Sequence, residues 1–381
     1  MRRLRYPYTC RVCNFKTKII PCIKCAMYER HNNFDSGYKH VNDMIIASQN
    51  YAKNDSDFLE WIEFSQLRIL ETLDEGGFGV VYKARWLDGL PMDATDVGRA
   101  WNRSHFNYIV AVKFFHNDKD FLKEFASIYR VVKRYSEENE YPSNIVHYYG
   151  ATYDYDNEHY GIVMEYYINT SLSNYLHYDW QEIYWTEKLC ILRDISYGLH
   201  TLHSQNLIHG DLHSGNVMIG YIDGSTDSDI AFLGDLGFCR FEENVRTDYG
   251  INGVIPFIAP EIFDGCPYSR KADIYSFGMI MYHISTNRAP FHHRAHDNRL
   301  VNQISNGLRP KIYREDEIPY CFVSLMRNCW NSDARCRPTA YTLYEKFNSW
   351  IEYGEEFEDI EWNVTEPSNY HRKAVYTSRT W

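Results

Sequence analysis

No apolar run in this chain of 381 residues approaches the roughly 18 residues needed to cross a bilayer, so no membrane-spanning helix is expected. The opening stretch MRRLRYPYTC is basic but has no apolar core, and a secretory signal peptide is not expected either. Basic residues are in deficit: 40 Lys and Arg against 51 Asp and Glu leave a net charge of −11. Nucleic acid and anionic membranes demand basic surface to displace counterions, so neither is expected as the main partner. Internal repeats and low-complexity tracts are missing as well. Of the 10 cysteines, four fall within residues 10–25 and the rest scatter without a pairing pattern. In a reducing compartment, clustered cysteines read as metal ligands rather than disulfides, and a cytoplasmic or nuclear location is expected.

What the chain does have is 44% hydrophobic residues, enough for one large domain or two lobes with real cores. Its organisation reads as a cysteine head over 1–30, a helical linker over 31–66, a main domain over 67–352 and a tail over 353–381. The tail is acidic, then basic, and its tip is expected to be mobile. Strands followed by one helix are expected in the first part of the main domain, 67–166, and helices in the second, 167–352. The expected class is α+β.

Several stretches carry candidate chemistry. ILETLDEGGFGVVYKARW sets Gly76, Gly77 and Gly79 between two apolar, β-branched runs. Without a Cβ, such a turn lets a phosphate approach closely, although a glycine turn between strands is more often only a turn. In YIVAVKFF the period of two directs Ala111 and Lys113 to one face and Val110 and Val112 to the other. Lys113 then needs an anionic partner, unless it is an edge-strand lysine that snorkels. DKDFLKEFASIYRVVKRY repeats Phe121, Phe125, Ile128, Val132 and Tyr135 at spacings of three and four, an amphipathic helix with Glu124 at the border of its stripe. Glu124 faces either Lys113 or solvent. Further on, NVMIGYI and DIAFLGD are apolar runs parted by a turn-rich segment, a hairpin that brings Asn216 and Asp235 side by side. A carboxylate and an amide oxygen are ligands that Mg²⁺ accepts beside phosphates and water.

Taken in order, the Gly-rich turn, VAVK, Glu124, HGDLHSGN, DLG, APE at 259–261, ADIYSFGMIMY and CWNSDARCRP resemble the protein kinase catalytic domain over residues 67–352. HSGN with YSFGMIMY and the upstream cysteine pairs is most similar to fungal tyrosine-kinase-like families of serine/threonine kinases. The resemblance implies a bilobal fold, ATP and Mg²⁺ as cofactors, and protein hydroxyls as acceptors. It also implies roles for individual residues. Lys113, positioned by Glu124, would hold the α- and β-phosphates beneath Gly76, Gly77 and Gly79, and Asp211 would take the proton of the substrate hydroxyl. Asn216 and Asp235 would hold the metal. Val81 and Ala111 would roof the adenine over Met218, with Met164 as gatekeeper and the backbone from Glu165 to Tyr167 on the adenine edge. Glu261 with Arg337 would form a buried ion pair, and Asp273 would hold the catalytic-loop backbone. These groups are expected to meet around a nucleotide in the cleft between lobes.

The chain departs from the family pattern at several positions. Gly210 replaces the arginine that pairs with a phosphorylated activation loop, so activity independent of such phosphorylation is expected; Thr247 and Tyr249 remain as acceptors. Asp74 stands where the first loop glycine is usual, and a carboxylate about 4 Å from a phosphate would repel it by roughly 4 kcal/mol at a dielectric near 20, so it must point outward or ATP affinity suffers. His213 takes the place of a lysine that touches the γ-phosphate, which lowers the available positive charge. Leu236 keeps an apolar packing residue in the metal-binding triplet. Val254 replaces a threonine usual ahead of APE, while the tyrosine-kinase pattern is absent too; serine and threonine are the expected acceptors.

The head carries CRVC and CIKC, two CxxC pairs eight residues apart. Cys10, Cys13, Cys22 and Cys25 would suit a closed tetrahedral Zn²⁺ site, the bland alternative being free thiols or a redox pair. A protein partner for this head fits the acidic balance better than nucleic acid. Three readings stand open on these grounds: an active protein kinase, a weakly active or inactive pseudokinase used as a signalling scaffold, and a zinc-binding adaptor.

Overall fold

The computed structural model describes residues 8–9, 16–17, 34–52, 58–91, 103–138, 144–167, 171–178, 183–220, 229–242, 251–313, 315–354, 357 and 370–380. Cys10, Cys13, Cys22 and Cys25, and the acceptors Thr247 and Tyr249, lie outside the described residues. Backbone contacts divide the chain into a first unit, Met1–Tyr141 with His147–Tyr166, and a second, Pro142–Val146 with Tyr167–Trp381. Among the described residues no helix is long and apolar enough to cross a membrane.

The first unit begins with a short antiparallel pair, β1 (Tyr8–Thr9) and β2 (Lys16–Thr17). After helix α1 (Lys39–Tyr51) come β3 (Glu60–Trp61), β4 (Leu67–Gly76) and β5 (Gly79–Trp86). A small pair, β6 (Leu90–Pro91) with β7 (Arg103–Ser104), precedes β8 (Tyr108–Phe115), helix α2 (Asp118–Glu138), β9 (Tyr148–Asp154) and β10 (His159–Glu165). Six of these strands form one sheet in the order β3-β9-β10-β8-β5-β4, antiparallel except for β3 on β9. The alternation of YIVAVKFF decides its two faces. Val110, Val112 and Phe114 join Leu67, Trp86 and Val163 in one apolar cluster. Ala111, Lys113 and Phe115 point the other way. Helix α2 is capped by Asn117, whose side chain accepts from the Asp120 amide at 3.0 Å, with Asp118 and Asp120 in the favourable first turn. Its stripe of Phe121, Phe125 and Ile128 is fully buried, and Phe121 stacks on Tyr160 with ring centres 4.7 Å apart. Each such phenylalanine contributes about 1.5–3 kcal/mol by burial.

The segment expected to be a linker is integral to this unit. Val41, Met44 and Ile45 of α1 are buried. The Ser48 hydroxyl accepts from the Leu59 amide at 3.0 Å, and the Gln49 side chain donates to the Leu59 carbonyl at 3.1 Å. Tyr38 donates to Asp118 at 2.6 Å, and Tyr160 donates to the Ser36 carbonyl at 2.5 Å. Apolar residues in a short helix carry no sign of what covers them, which is why KHVNDMIIASQNY read as a weak linker helix.

The second unit is helical. It contains α3 (Leu172–Tyr178), α4 (Trp185–Ser204), β11 (Leu207–Ile208), β12 (Val217–Gly220), β13 (Ile230–Leu233), β14 (Arg240–Phe241) and β15 (Asn252–Gly253). These are followed by α5 (Pro260–Phe263), α6 (Arg270–Thr286), α7 (Asn298–Ser305), α8 (Tyr320–Cys329), α9 (Ala340–Tyr353) and β16 (Arg379–Thr380). Helix α6 is buried on every side from Ala272 to Thr286, as its apolar sequence requires. The tail tip, expected to be mobile, is fixed: β16 pairs antiparallel with β15, Asn252 opposite Thr380 and Gly253 opposite Arg379.

Candidate active site

In the first unit, β8 and α2 bring Lys113 to Glu124. Lys113 Nζ lies 2.7 Å from Glu124 Oε2, and the two side chains are only 11% and 4% exposed, so the glutamate faces inward. The β5–β8 register sets Val81 opposite Lys113, and the β10–β8 register sets Met164 opposite Ala111. Gly76 and Gly77 are exposed in the turn, and a Cβ on Gly76 would meet nothing within 4 Å. Gly79 differs: a Cβ there would lie 2.0 Å from the Phe114 carbonyl oxygen, so close strand packing alone demands glycine. The Asp74 carboxylate is exposed and turned to its own loop, accepting from the Glu75 amide at 2.9 Å. Glu165 is held by two phenols, Tyr108 at 2.9 Å and Tyr149, and its amide donates to the His147 carbonyl at 2.9 Å. Burial, and then the charge of Glu165, push the Tyr149 phenol well above its ordinary range, so it stays a neutral donor. This clamp left no mark in the sequence, since Tyr108 and Tyr149 sit on different strands.

In the second unit, α4 ends on Asn206 in the left-handed region at φ 58°, and β11 delivers the loop that follows. Asp273, near the start of α6, accepts from the His209 amide at 2.9 Å, the Gly210 amide at 3.0 Å and the His203 ring at 2.9 Å. Burial alone would raise the Asp273 carboxyl; the His203 hydrogen bond and charge, with His209 and the Gly210 amide, outweigh it and hold it below its usual value. Asp211 and Asn216 are 5% and 7% exposed. The Asn216 amide nitrogen donates to the Asp211 carbonyl at 2.9 Å and approaches its carboxylate at 3.4 Å. With the nitrogen so engaged, the amide oxygen is the end turned elsewhere.

The hairpin closes the arrangement. Val217 lies opposite Leu233, and the Gly234 amide donates to the Asn216 carbonyl at 2.8 Å, which brings Asn216 to the start of the DLG turn. Asp235 adopts φ 51° and accepts from the Gly237 amide at 3.2 Å. Met218 pairs with Phe232 in this hairpin, and Tyr167 stacks on Phe232 at 4.7 Å. Oxygen donors on Asn216 and Asp235, beside a buried carboxylate, form a set that fits a hard divalent cation.

Two departures now have a physical description. Gly210 has φ +79°, and a Cβ there would lie 2.9 Å from the Phe238 carbonyl oxygen. Beside it, Arg240 lays its guanidinium over the Tyr268 ring at 4.5 Å. The loop is therefore built for glycine, not merely short of an arginine. His213 is buried, which pushes its pKa down to about 4 against the weaker pull of Asp235, so the ring is neutral at pH 7. Its Nδ1 accepts from the Gly215 amide at 3.1 Å. Elsewhere Arg337 grips Glu261 with two bonds of 2.6 and 2.8 Å.

The family model for protein tyrosine and serine/threonine kinases matches residues 67–347. The probable serine/threonine-protein kinase gdt4 of Dictyostelium discoideum is 29% identical over 307 residues, covering 80% of this chain and 17% of that protein. Serine/threonine-protein kinase STY17 of Arabidopsis thaliana is 24% identical over 344 residues, covering 88% of this chain and 53% of its own. Human mitogen-activated protein kinase kinase kinase 7 is 29% identical over 287 residues, covering 74% of this chain and 41% of its own. The chain thus spans no more than about half the length of these relatives.

Proposed function

The chain belongs to the protein tyrosine and serine/threonine kinase family, and from that premise we propose that it transfers the γ-phosphoryl group of ATP to serine and threonine hydroxyls of proteins. The observation that carries this reading is the convergence of Asp211, Asn216 and the Asp235 turn on one hairpin end. The buried Lys113–Glu124 pair supports it, as do relatives named as serine/threonine kinases.

Phosphoryl transfer needs little covalent help; it needs in-line positioning and positive charge against the spreading oxygens. Lys113, oriented by Glu124, holds the α- and β-phosphates. Asn216 and Asp235 hold Mg²⁺, which when bound supplies further charge neutralisation at the phosphates. Asp211 orients the acceptor hydroxyl and takes its proton. Toward the adenine the first unit offers Val81, Ala111, Met164 and the Glu165 carbonyl, and the second offers Met218 and the Tyr167 amide. Because glycine stands at 210 in place of the arginine that would pair with a phosphorylated activation loop, activity does not depend on phosphorylation of Thr247 or Tyr249.

The chain is of the tyrosine-kinase-like group and acts in the cytoplasm or nucleus. Cys10, Cys13, Cys22 and Cys25 bind a structural Zn²⁺ and present the head to a protein partner; zinc quantification on the purified full chain tests this. For the kinase reading, labelled ATP and a generic protein acceptor are incubated with the chain and with Asp235→Asn. Transfer by the native chain and not by the variant is expected. Equal background in both would favour the second reading, a scaffold of negligible activity, which the neutral His213 ring keeps in view.

A further inference from the structure

The C-terminal strand lies against the catalytic loop. β16 extends the edge of β15, and β15 runs along Asp211: a Cβ placed on Gly253 would lie 2.9 Å from Asp211 Oδ1. Immediately ahead of β16, Ser378 sets its hydroxyl 2.8 Å from His213 Nε2, and that nitrogen is 3.8 Å from Asp211 Oδ1. The strand is not a loose end settling on a surface. The His371 amide donates to the His292 carbonyl at 2.8 Å, and the Tyr376 hydroxyl donates to the Pro290 carbonyl at 2.8 Å. Tyr376 also meets the His296 ring edge-on at 4.8 Å. The approach to β15 is thus fixed two residues before Ser378.

The hydrogen-bond directions matter. His213 Nδ1 accepts from the Gly215 amide, so Nε2 carries the ring proton and donates it to Ser378 Oγ. The serine hydroxyl is an acceptor in that bond, and its own proton is left to give to a carboxylate. A hydroxyl oriented by an imidazole that itself lies 3.8 Å from the residue read as proton acceptor, and carried just ahead of a strand hydrogen-bonded to the segment after the catalytic loop, is an acceptor in waiting.

We propose that the strand ending the chain is an internal substrate and that Ser378 is a site of autophosphorylation within the same molecule. The proposal rests on the kinase reading above. Ser378 Oγ forms a bond to the γ-phosphorus of ATP, the bond from that phosphorus to the β,γ-bridging oxygen breaks, ADP leaves, and the hydroxyl proton passes to the Asp211 carboxylate. The product carries about −1.5 to −2 charge against the His213 ring, on whose other side the Asp211 carboxylate lies. Like-charge repulsion then expels the strand and opens the β15 edge to other acceptors. The tethered serine gains the entropic advantage of an intramolecular reaction, so modification in the same chain outruns modification between chains.

The test incubates the full chain with Mg-ATP and casein, follows phosphate at Ser378 by mass spectrometry, and repeats the time course at roughly tenfold dilution, which slows an intermolecular reaction but not an intramolecular one. Ser378 phosphate with a half-time unchanged on dilution is expected, together with label on casein. Ser378→Ala is expected to abolish that phosphosite while casein remains labelled. Label on casein with Ser378 unmodified, or modified only at Thr377 or Thr380, overturns the assignment and leaves the kinase reading standing. A half-time that lengthens in proportion to dilution overturns the intramolecular step. Failure to label either casein or the chain defeats the kinase reading itself, and the proposal with it.

Discussion

Reinstating the arginine at position 210 is expected to damage the fold rather than restore a lost control. The backbone there sits at φ +79°, where a residue with a Cβ costs about 1–2 kcal/mol. The added Cβ would also stand 2.9 Å from the Phe238 carbonyl oxygen, a backbone atom that must shift, adding about 1–3 kcal/mol. Gly210→Ala isolates these two effects and should lose about 2–5 kcal/mol. Gly210→Arg adds a second cation beside Arg240, whose Nη2 would be 3.5 Å from the new Cβ, and should lose more. For a domain of this size the alanine variant should melt on the order of 10 °C lower. Urea denaturation followed by tryptophan fluorescence gives the free energy, and calorimetry the melting temperature. An alanine variant that melts within about 2 °C of the native chain would refute the reasoning, because it would mean that the loop relaxes to an ordinary φ without loss.

Glu124→Gln should leave the far-UV spectrum intact and lower kcat/KM for ATP by roughly 10²-fold, since Lys113 loses the partner that aims it; an unchanged value would count against the pair's role. Glu261→Ala should cost about 3 kcal/mol, the low end for breaking a buried pair because Glu261 remains 20% exposed, and urea titration will measure it. Burial lowers His213 to about 4 and His283 to about 3, so the unfolded chain binds protons below its histidine pKa of about 6.5 that the folded chain refuses. Stability from these groups is present at neutral pH and is lost as the pH falls from about 6.5 toward about 4 for His213 and about 3 for His283, near 2 kcal/mol per histidine at pH 5. A denaturation midpoint equal at pH 7 and pH 5 would contradict this.

Local periodicity carried much of what the sequence revealed. The alternation in YIVAVKFF and the stripe through Phe121, Phe125 and Ile128 each follow from one element's own geometry, and those residues are buried accordingly. The hairpin that unites Asn216 with the Asp235 turn was readable because its strands are close in sequence. Contacts between distant segments left no such trace. The linker expected over 31–66 is tied to β10 through Ser36 and to the start of α2 through Tyr38. The tip expected to be mobile is a strand, and its Ser378 meets a ring 165 positions away. Gly210 looked like a missing arginine because a sequence does not print φ; the left-handed backbone and the Phe238 carbonyl explain the residue directly.

The embrace of the sheet by α1 and β3 bears on how the protein can be cut. A recombinant fragment starting at residue 67, where the family match begins, would discard both elements. It would strip β9 of the neighbour whose Ile62 amide reaches the Ala151 carbonyl at 2.8 Å, leaving a raw ladder edge open to sticking. It would also bare the apolar surface that Val41 and Ile45 cover. Such a fragment should precipitate or self-associate where one starting at residue 34 stays monodisperse in gel filtration.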